Sequence, residues 1–142
     1  MIKTKKRRNN AEHRLHFFVA DLLRKTAWPE VIWFHPPNDG QRTGITGNRL
    51  LGMGMLPGVP DFVIIRRDGT PAFLELKAPK GKLSPAQLAF LGKAHALNVP
   101  YRVARDGDSV RAILSEWGVT RESYRRPSAI VGEIIHGEKA LA

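Results

Sequence analysis

Two short apolar runs, Asp61-Phe62-Val63-Ile64-Ile65-Arg66 and Ala72-Phe73-Leu74-Glu75-Leu76-Lys77, flank Arg67-Asp68-Gly69-Thr70-Pro71. β-Branched and aromatic residues on either side of an Asp-Gly predict a hairpin. Both strands are apolar at successive positions, so the sheet they build must be covered on both faces. The segment C-terminal to the hairpin narrows the architecture. Ser84-Pro85-Ala86-Gln87 has an N-cap serine, a proline at the first helical position and a glutamine three residues after the cap. Leu88, Leu91 and His95 continue one face of that helix to about Asn98. Tyr101 to Ala104 is then a strand entered through a crossover helix, hence parallel to its neighbour. Asp108 to Trp117 forms a last short helix, with Gly118 suited to its C-terminal cap.

Upstream, Leu15, Phe18, Val19, Leu22 and Leu23 recur at helical spacing, predicting a helix from Ala11 to Ala27 that Trp28-Pro29 terminates. Val31 to His35 reads as a strand, stopped by Pro36-Pro37-Asn38-Asp39-Gly40. Gln41 to Pro60 reads as a glycine-punctuated loop with a short helix near Asn48 to Gly52. The order is α-β-β-β-α-β-α: an α/β protein with a mixed four-stranded sheet flanked by helices.

At 142 residues the chain suits one domain, and 42% hydrophobic with 25% charged residues argues against a largely disordered polypeptide. The absence of cysteine excludes a disulfide framework, a Cys-ligated zinc and thiol catalysis, and fits a reducing cytosol. No apolar run approaches the roughly 18 residues that span a bilayer. The basic N-terminus has no apolar segment behind it, unlike a secretory signal. Net charge is +10, and residues 1–10 hold Lys3, Lys5, Lys6, Arg7 and Arg8 with no acid. A polyanion is the expected partner, nucleic acid before membrane. For the arm alone a solubilising tail is an equally good reading.

Three charged residues interrupt the apolar strands. Glu75 and Lys77, two apart, leave the same face. Whether Asp61 joins them depends on the loop. A two-residue Asp68-Gly69 turn would set Asp61 opposite Leu76, on the wrong face. A three-residue Arg67-Asp68-Gly69 loop with Gly69 left-handed makes pairs whose numbers sum to 136 and sets Asp61 opposite Glu75. The latter is the expectation. The two carboxylates would then stand about 5 Å apart at Cβ. At about 4 Å two like charges repel by about 4 kcal/mol at an effective dielectric of 20. Such a pair needs a cation or a shared proton. Lys77 supplies one charge, and an all-oxygen site suits Mg²⁺ or Mn²⁺ for the rest. A structural ion-pair network is the competing explanation. Glu12, on the apolar face of the first helix, either snorkels at the helix start or reaches the metal, and spacing alone favours the former. Gln87 has a capping role that needs no function, yet lies where it could reach a water or phosphate.

Pro60-Asp61 followed by Glu75-Leu76-Lys77 resembles the signature of the PD-(D/E)XK nuclease superfamily. Gly54-Met55-Leu56-Pro57-Gly58-Val59-Pro60-Asp61, the Glu75-Leu76-Lys77 strand and Gly81-Lys82-Leu83-Ser84-Pro85-Ala86-Gln87 resemble the VRR-NUC family of virus-type replication-repair nucleases. The resemblance runs from about Glu12 to Trp117 and includes His35 to Gly40. It implies a restriction-endonuclease-like αβββαβ core and metal-dependent hydrolysis of DNA phosphodiesters. It implies Asp61, Glu75 and the Leu76 carbonyl as metal ligands, Lys77 as the residue that orients the attacking water, and roles for Glu12 and Gln87. The organisation expected is a basic arm over residues 1–10, a nuclease domain over 11–120 and a tail over 121–142.

Stand-alone members of this size resemble phage and bacterial enzymes of branched DNA, four-way junctions above all, which places the chain in the cytoplasm of a bacterial or phage-infected cell. Symmetric junction cleavage needs two sites about a twofold axis, hence a homodimer. Ile130, Val131, Ile134 and Ile135 make the tail either a dimer element or a docked terminus. Arg42, Arg49, Lys80 and Lys82 flank the expected site as phosphate contacts. His35 and Asn38 are further candidates to touch DNA. His13, His16, His35, His95 and His136 show no ligand spacing, and most read as surface or packing residues. Two rival readings are a non-catalytic DNA-binding module and a ribosomal-type RNA-binding protein. The charged strand residues weigh against the first, and the mainly aliphatic character of the strands, where base stacking would call for exposed aromatics, against the second.

Overall fold

The register of the hairpin places everything else. In the computed structural model, which describes residues 2–37 and 44–121 (side chains from 10–37 and 46–121), β2 (Phe62–Ile65) pairs antiparallel with β3 (Pro71–Leu76). The pairs are Phe62 with Leu74, Val63 with Phe73, Ile64 with Ala72 and Ile65 with Pro71, all on the expected sum of 136. The loop is the expected three residues: Arg66 N–H donates to the Thr70 carbonyl at 2.9 Å and Gly69 N–H to the Arg66 carbonyl at 2.8 Å. Gly69 has φ of 83°, the left-handed conformation the bulged loop demands.

β1 (Ile32–Phe34) adds antiparallel to β2, and β4 (Tyr101–Ala104) adds parallel to β3, giving the order β1-β2-β3-β4. The parallel pairing follows from the crossover through α3 (Pro85–Ala96), whose Ser84–Gln87 capping box forms as expected. A short α2 (Gly44–Gly52) precedes β2, and α4 (Gly107–Glu116) closes the described chain behind an Asp106 N-cap. The result is a mixed α/β sheet flanked by four helices, compatible with a restriction-endonuclease-like core.

α1 (Ile2–Thr26) begins well before Ala11, so the basic run continues the helical backbone rather than preceding it. No glycine or proline interrupts residues 2–26, and Lys and Arg are good helix formers. Asn38, Asp39, Gly40 and Arg42, and the tail with Ile130, Val131, Ile134 and Ile135, lie outside the described residues.

Alternation divides the sheet sharply. Phe62, Ile64, Ala72, Leu74 and Leu76 point to one face and are almost fully buried. They pack under Leu15, Val19, Leu22 and Leu23 of α1 and Val110, Ile113 and Leu114 of α4. Each such side chain contributes about 1.5–3 kcal/mol by leaving water. On the opposite face Phe73 meets Phe90 of α3 edge to face at 5.0 Å. Cover there is partial, because Ile32 and Phe34 of the edge strand remain 61% and 49% exposed. The buried side of α3 also differs from the expected Leu88, Leu91 and His95 stripe. Leu88 and His95 are exposed, whereas Gln87, Phe90, Leu91 and Ala94 turn inward. Among the described residues no helix is long and apolar enough to cross a membrane.

Candidate active site

At the end of the hairpin away from its loop, the ladder stops and side chains take over the backbone hydrogen bonding. β2 starts at Phe62, and the next register pair outward is Asp61 with Glu75, neighbours on the α3 face. Asp61 does not continue the backbone ladder; its Oδ2 accepts the Leu76 N–H at 2.7 Å. The next N–H, of Lys77, donates to the Ala104 carbonyl at 3.0 Å, extending the parallel pairing with β4. The one after, of Ala78, donates to Glu12 Oε1 at 3.1 Å. Three consecutive amides are thus fixed by a site carboxylate, a neighbouring strand and a helix, which sets the direction of the Glu75-Leu76-Lys77 side chains.

Glu75 is the buried charged group of this region, 3% exposed. Its Oε1 accepts from Gln87 Nε2 at 2.9 Å and faces Lys77 Nζ at 3.7 Å. Its Oε2 is buried without a hydrogen-bond partner among the described residues. Burial, then the charge of Asp61, pushes the Glu75 carboxyl up to about 8, with Lys77 pulling the other way. Burial also raises Asp61, opposed by the Leu76 N–H and by His16. Without a cation the pair therefore holds a proton near neutrality.

Gln87 carries both roles the sequence offered. Its Oε1 accepts the Ser84 N–H at 2.8 Å, completing the capping box, while its Nε2 holds Glu75. The first turn of α3 lies against the Asp61 segment at Gly58, which has φ of +76°; a Cβ there would overlap the Ala86 carbonyl. Only glycine allows that approach.

Asp61, Glu75, Leu76, Lys77, Gln87 and Glu12 line one cavity of about 510 Å³. His13, His16, Phe17 and His35 line it too. His35, expected as a DNA contact, and His16, expected among the surface or packing residues, both stand at the cavity wall. His35 Nδ1 lies 2.6 Å from the Asp61 carbonyl, and His16 Nδ1 lies 3.9 Å from Asp61 Oδ1. His16 is one helical turn beyond Glu12, the available signal; its proximity to His35, on a separate strand, is tertiary and invisible to spacing. Phe17 stands at the mouth, 76% exposed.

Of the expected DNA contacts, Arg49, Lys80 and Lys82 are exposed and do not line the cavity. Sequence reasoning missed Arg105, which follows β4. Its Nη1 donates to the Ala78 and Gly81 carbonyls at 2.8 and 2.7 Å, clasping the loop that bears Lys80 and Lys82.

Chemically, two oppositely placed constraints meet here. Carboxylates that repel each other are buried together, and a buried oxygen is left without a donor. The donor set of Asp61, Glu75 and the Leu76 backbone is all oxygen and fits a hard divalent cation, which would satisfy Glu75 Oε2 and displace the proton. This fold, with two acids and a lysine at the broken end of its central hairpin, is compatible with a restriction-endonuclease-like core. Residues 49–106 match the VRR-NUC domain, consistent with the resemblance to that nuclease family. The match contains Asp61, Glu75, Lys77 and Gln87, whereas Glu12, His16 and His35 precede it. A search of the curated proteins found no match.

Proposed function

We propose that this protein is a divalent-metal-dependent, structure-selective DNA endonuclease that hydrolyses phosphodiester bonds in branched DNA, four-way junctions foremost, as a homodimer. The observation that carries the reading is the buried oxygen of Glu75, without a hydrogen-bond partner among the described residues, beside Asp61 and Lys77 in a cavity of about 510 Å³. Mg²⁺ or Mn²⁺ would be held by Asp61, Glu75 and the Leu76 carbonyl, with Glu12 the next carboxylate along the wall. Bound there, the ion supplies a Lewis acid and a water of lowered pKa.

The chain's own groups do the remainder. Gln87 secures one oxygen of Glu75 and so aims the other. The Lys77 ammonium, 12% exposed at the cavity wall, orients the water that attacks phosphorus and offsets charge gained by the phosphate oxygens as one ester oxygen departs. Glu12 and Arg105 hold the following loop by its backbone. Arg49, Lys80 and Lys82, together with Asn38 and Arg42, contact phosphates and set position rather than sequence. His35 supports Asp61 through its carbonyl in addition to facing DNA. One acidic cluster cuts one strand, so paired nicks in a junction call for two copies about a twofold axis. The place of action is the cytoplasm of a bacterial or phage-infected cell.

The test is incubation of the purified protein with a four-way junction, a flap and a linear duplex, each with Mg²⁺, Mn²⁺ or EDTA, alongside light scattering for mass. Paired nicks in the junction, none with EDTA, and a mass of two chains are expected. Equal cutting of all three substrates removes structure selectivity, preference for the flap moves the substrate, and binding without cutting leaves a non-catalytic module.

A further inference from the structure

On the α1 side of the cavity, donors of a different character gather. His16 of α1, His35 just past β1 and Asp61 each offer a ligand atom, and all three atoms lie within 4.8 Å of one another. All three residues are partly buried, so a dissolved ion can reach them. The two imidazoles cross edge to face with centroids 4.3 Å apart, and the His16 ring rests on Phe62 at 4.6 Å. The 2.6 Å contact of His35 Nδ1 with the Asp61 carbonyl fixes more than position. A carbonyl only accepts, so Nδ1 carries the hydrogen and Nε2 of the neutral ring carries the lone pair. Donation of one ring N–H to a backbone carbonyl is how metal-binding histidines are commonly oriented.

We infer that His16, His35 and Asp61 form a second cation subsite, for a divalent transition ion that favours nitrogen, such as Zn²⁺ or Co²⁺. Two imidazoles and a carboxylate are a borderline donor set that Zn²⁺ and Co²⁺ accept readily and Mg²⁺ does not. Ligand bonds of about 2.1 Å in a tetrahedron separate donors by roughly 3.3 Å. The His16–Asp61 pair, at 3.9 Å, is already close to that. The widest separation needs a contraction of no more than about 1.5 Å, within reach of side-chain rotation in partly exposed groups. Asp61 is common to this subsite and to the acid pair, so the two cations would be neighbours. The subsite stands on the geometry of these three residues and does not depend on the proposed nuclease activity.

The experiment titrates the metal-stripped full chain with Co²⁺, read by its visible d–d bands, and with Zn²⁺ by calorimetry, in excess Mg²⁺. Wild-type protein is expected to bind both ions with Mg²⁺ present. His16→Gln and His35→Gln, each checked by circular dichroism for a wild-type fold, are expected to weaken Co²⁺ and Zn²⁺ at least about 10-fold. Glu75→Gln and His13→Ala are expected to leave both affinities within about threefold of wild type. No Co²⁺ uptake, uptake unaffected by either His16→Gln or His35→Gln, or equal loss in Glu75→Gln would overturn the assignment. The last result would place the ion at the acid pair instead.

Discussion

Leu74 and Glu75 are adjacent in sequence and opposite in fate. Leu74 points into the face beneath α1 and α4 and is fully buried among Phe62, Ile64 and Leu76. Glu75 points to the other face, equally dry, but with a like charge beside it and one oxygen unpartnered. Burial stabilises the first directly. For the second, burial costs several kcal/mol, offset by Gln87, Lys77 and either a held proton or the cation of the proposed function. A single hairpin register produces both faces at once, so the core that holds the fold together also forces the site residues into one another's company.

The largest contrast should come from substituting those two neighbours. Glu75→Gln is expected to lower DNA cleavage by about 10³-fold while metal-free stability holds near neutrality and rises above about pH 8, where the wild-type carboxyl ionises beside Asp61. Leu74→Ala is expected to cost about 2–5 kcal/mol of unfolding free energy, measured by urea denaturation. A Glu75→Gln protein that unfolds as readily as Leu74→Ala would erase the distinction between the faces.

Gly58→Ala joins the two regions. A side chain at a φ of +76°, overlapping the Ala86 carbonyl, must push the first turn of α3 away from Asp61. About 1–3 kcal/mol of destabilisation is expected. It should come with a larger loss of metal response than its melting temperature alone explains, since Gln87 would leave Glu75.

A smaller effect tests the electrostatics. The folded-state pKa of Glu75 is raised from 4.5 to about 8. The folded protein therefore binds this proton more tightly than the unfolded chain between those values. Its stabilising contribution is full below about pH 4.5 and lost as pH rises through about 8. In EDTA the melting temperature should fall across that window, and Mg²⁺ or Mn²⁺ should reverse the fall at the alkaline end. Glu75→Gln should flatten the profile. A profile unchanged by Glu75→Gln would mean that other groups set it.

The core face was largely legible from the residues, because it follows from period-2 alternation and turn chemistry. The Gly69 loop set the register, the Ser84–Gln87 box set the start of α3, and the crossover set the direction of β4. The same register brought Asp61 to Glu75. The surroundings of the acid pair were less legible for a physical reason: His16 of α1, His35 after β1 and Arg105 after β4 arrive through tertiary packing that no local period encodes. The rotation of α3 was misread for a related cause, since the Gln87 bond to Glu75 and the Phe90 contact with Phe73, rather than the most apolar stripe, decide which side turns inward.

The most direct test of the central claim is single-turnover cleavage of a pre-bound four-way junction, started by adding Mg²⁺, with wild type and Lys77→Ala compared at matched DNA occupancy. The account predicts that Lys77→Ala binds the junction as tightly as wild type and cuts it at least about 10²-fold more slowly. Cutting by Lys77→Ala at the wild-type rate would contradict it.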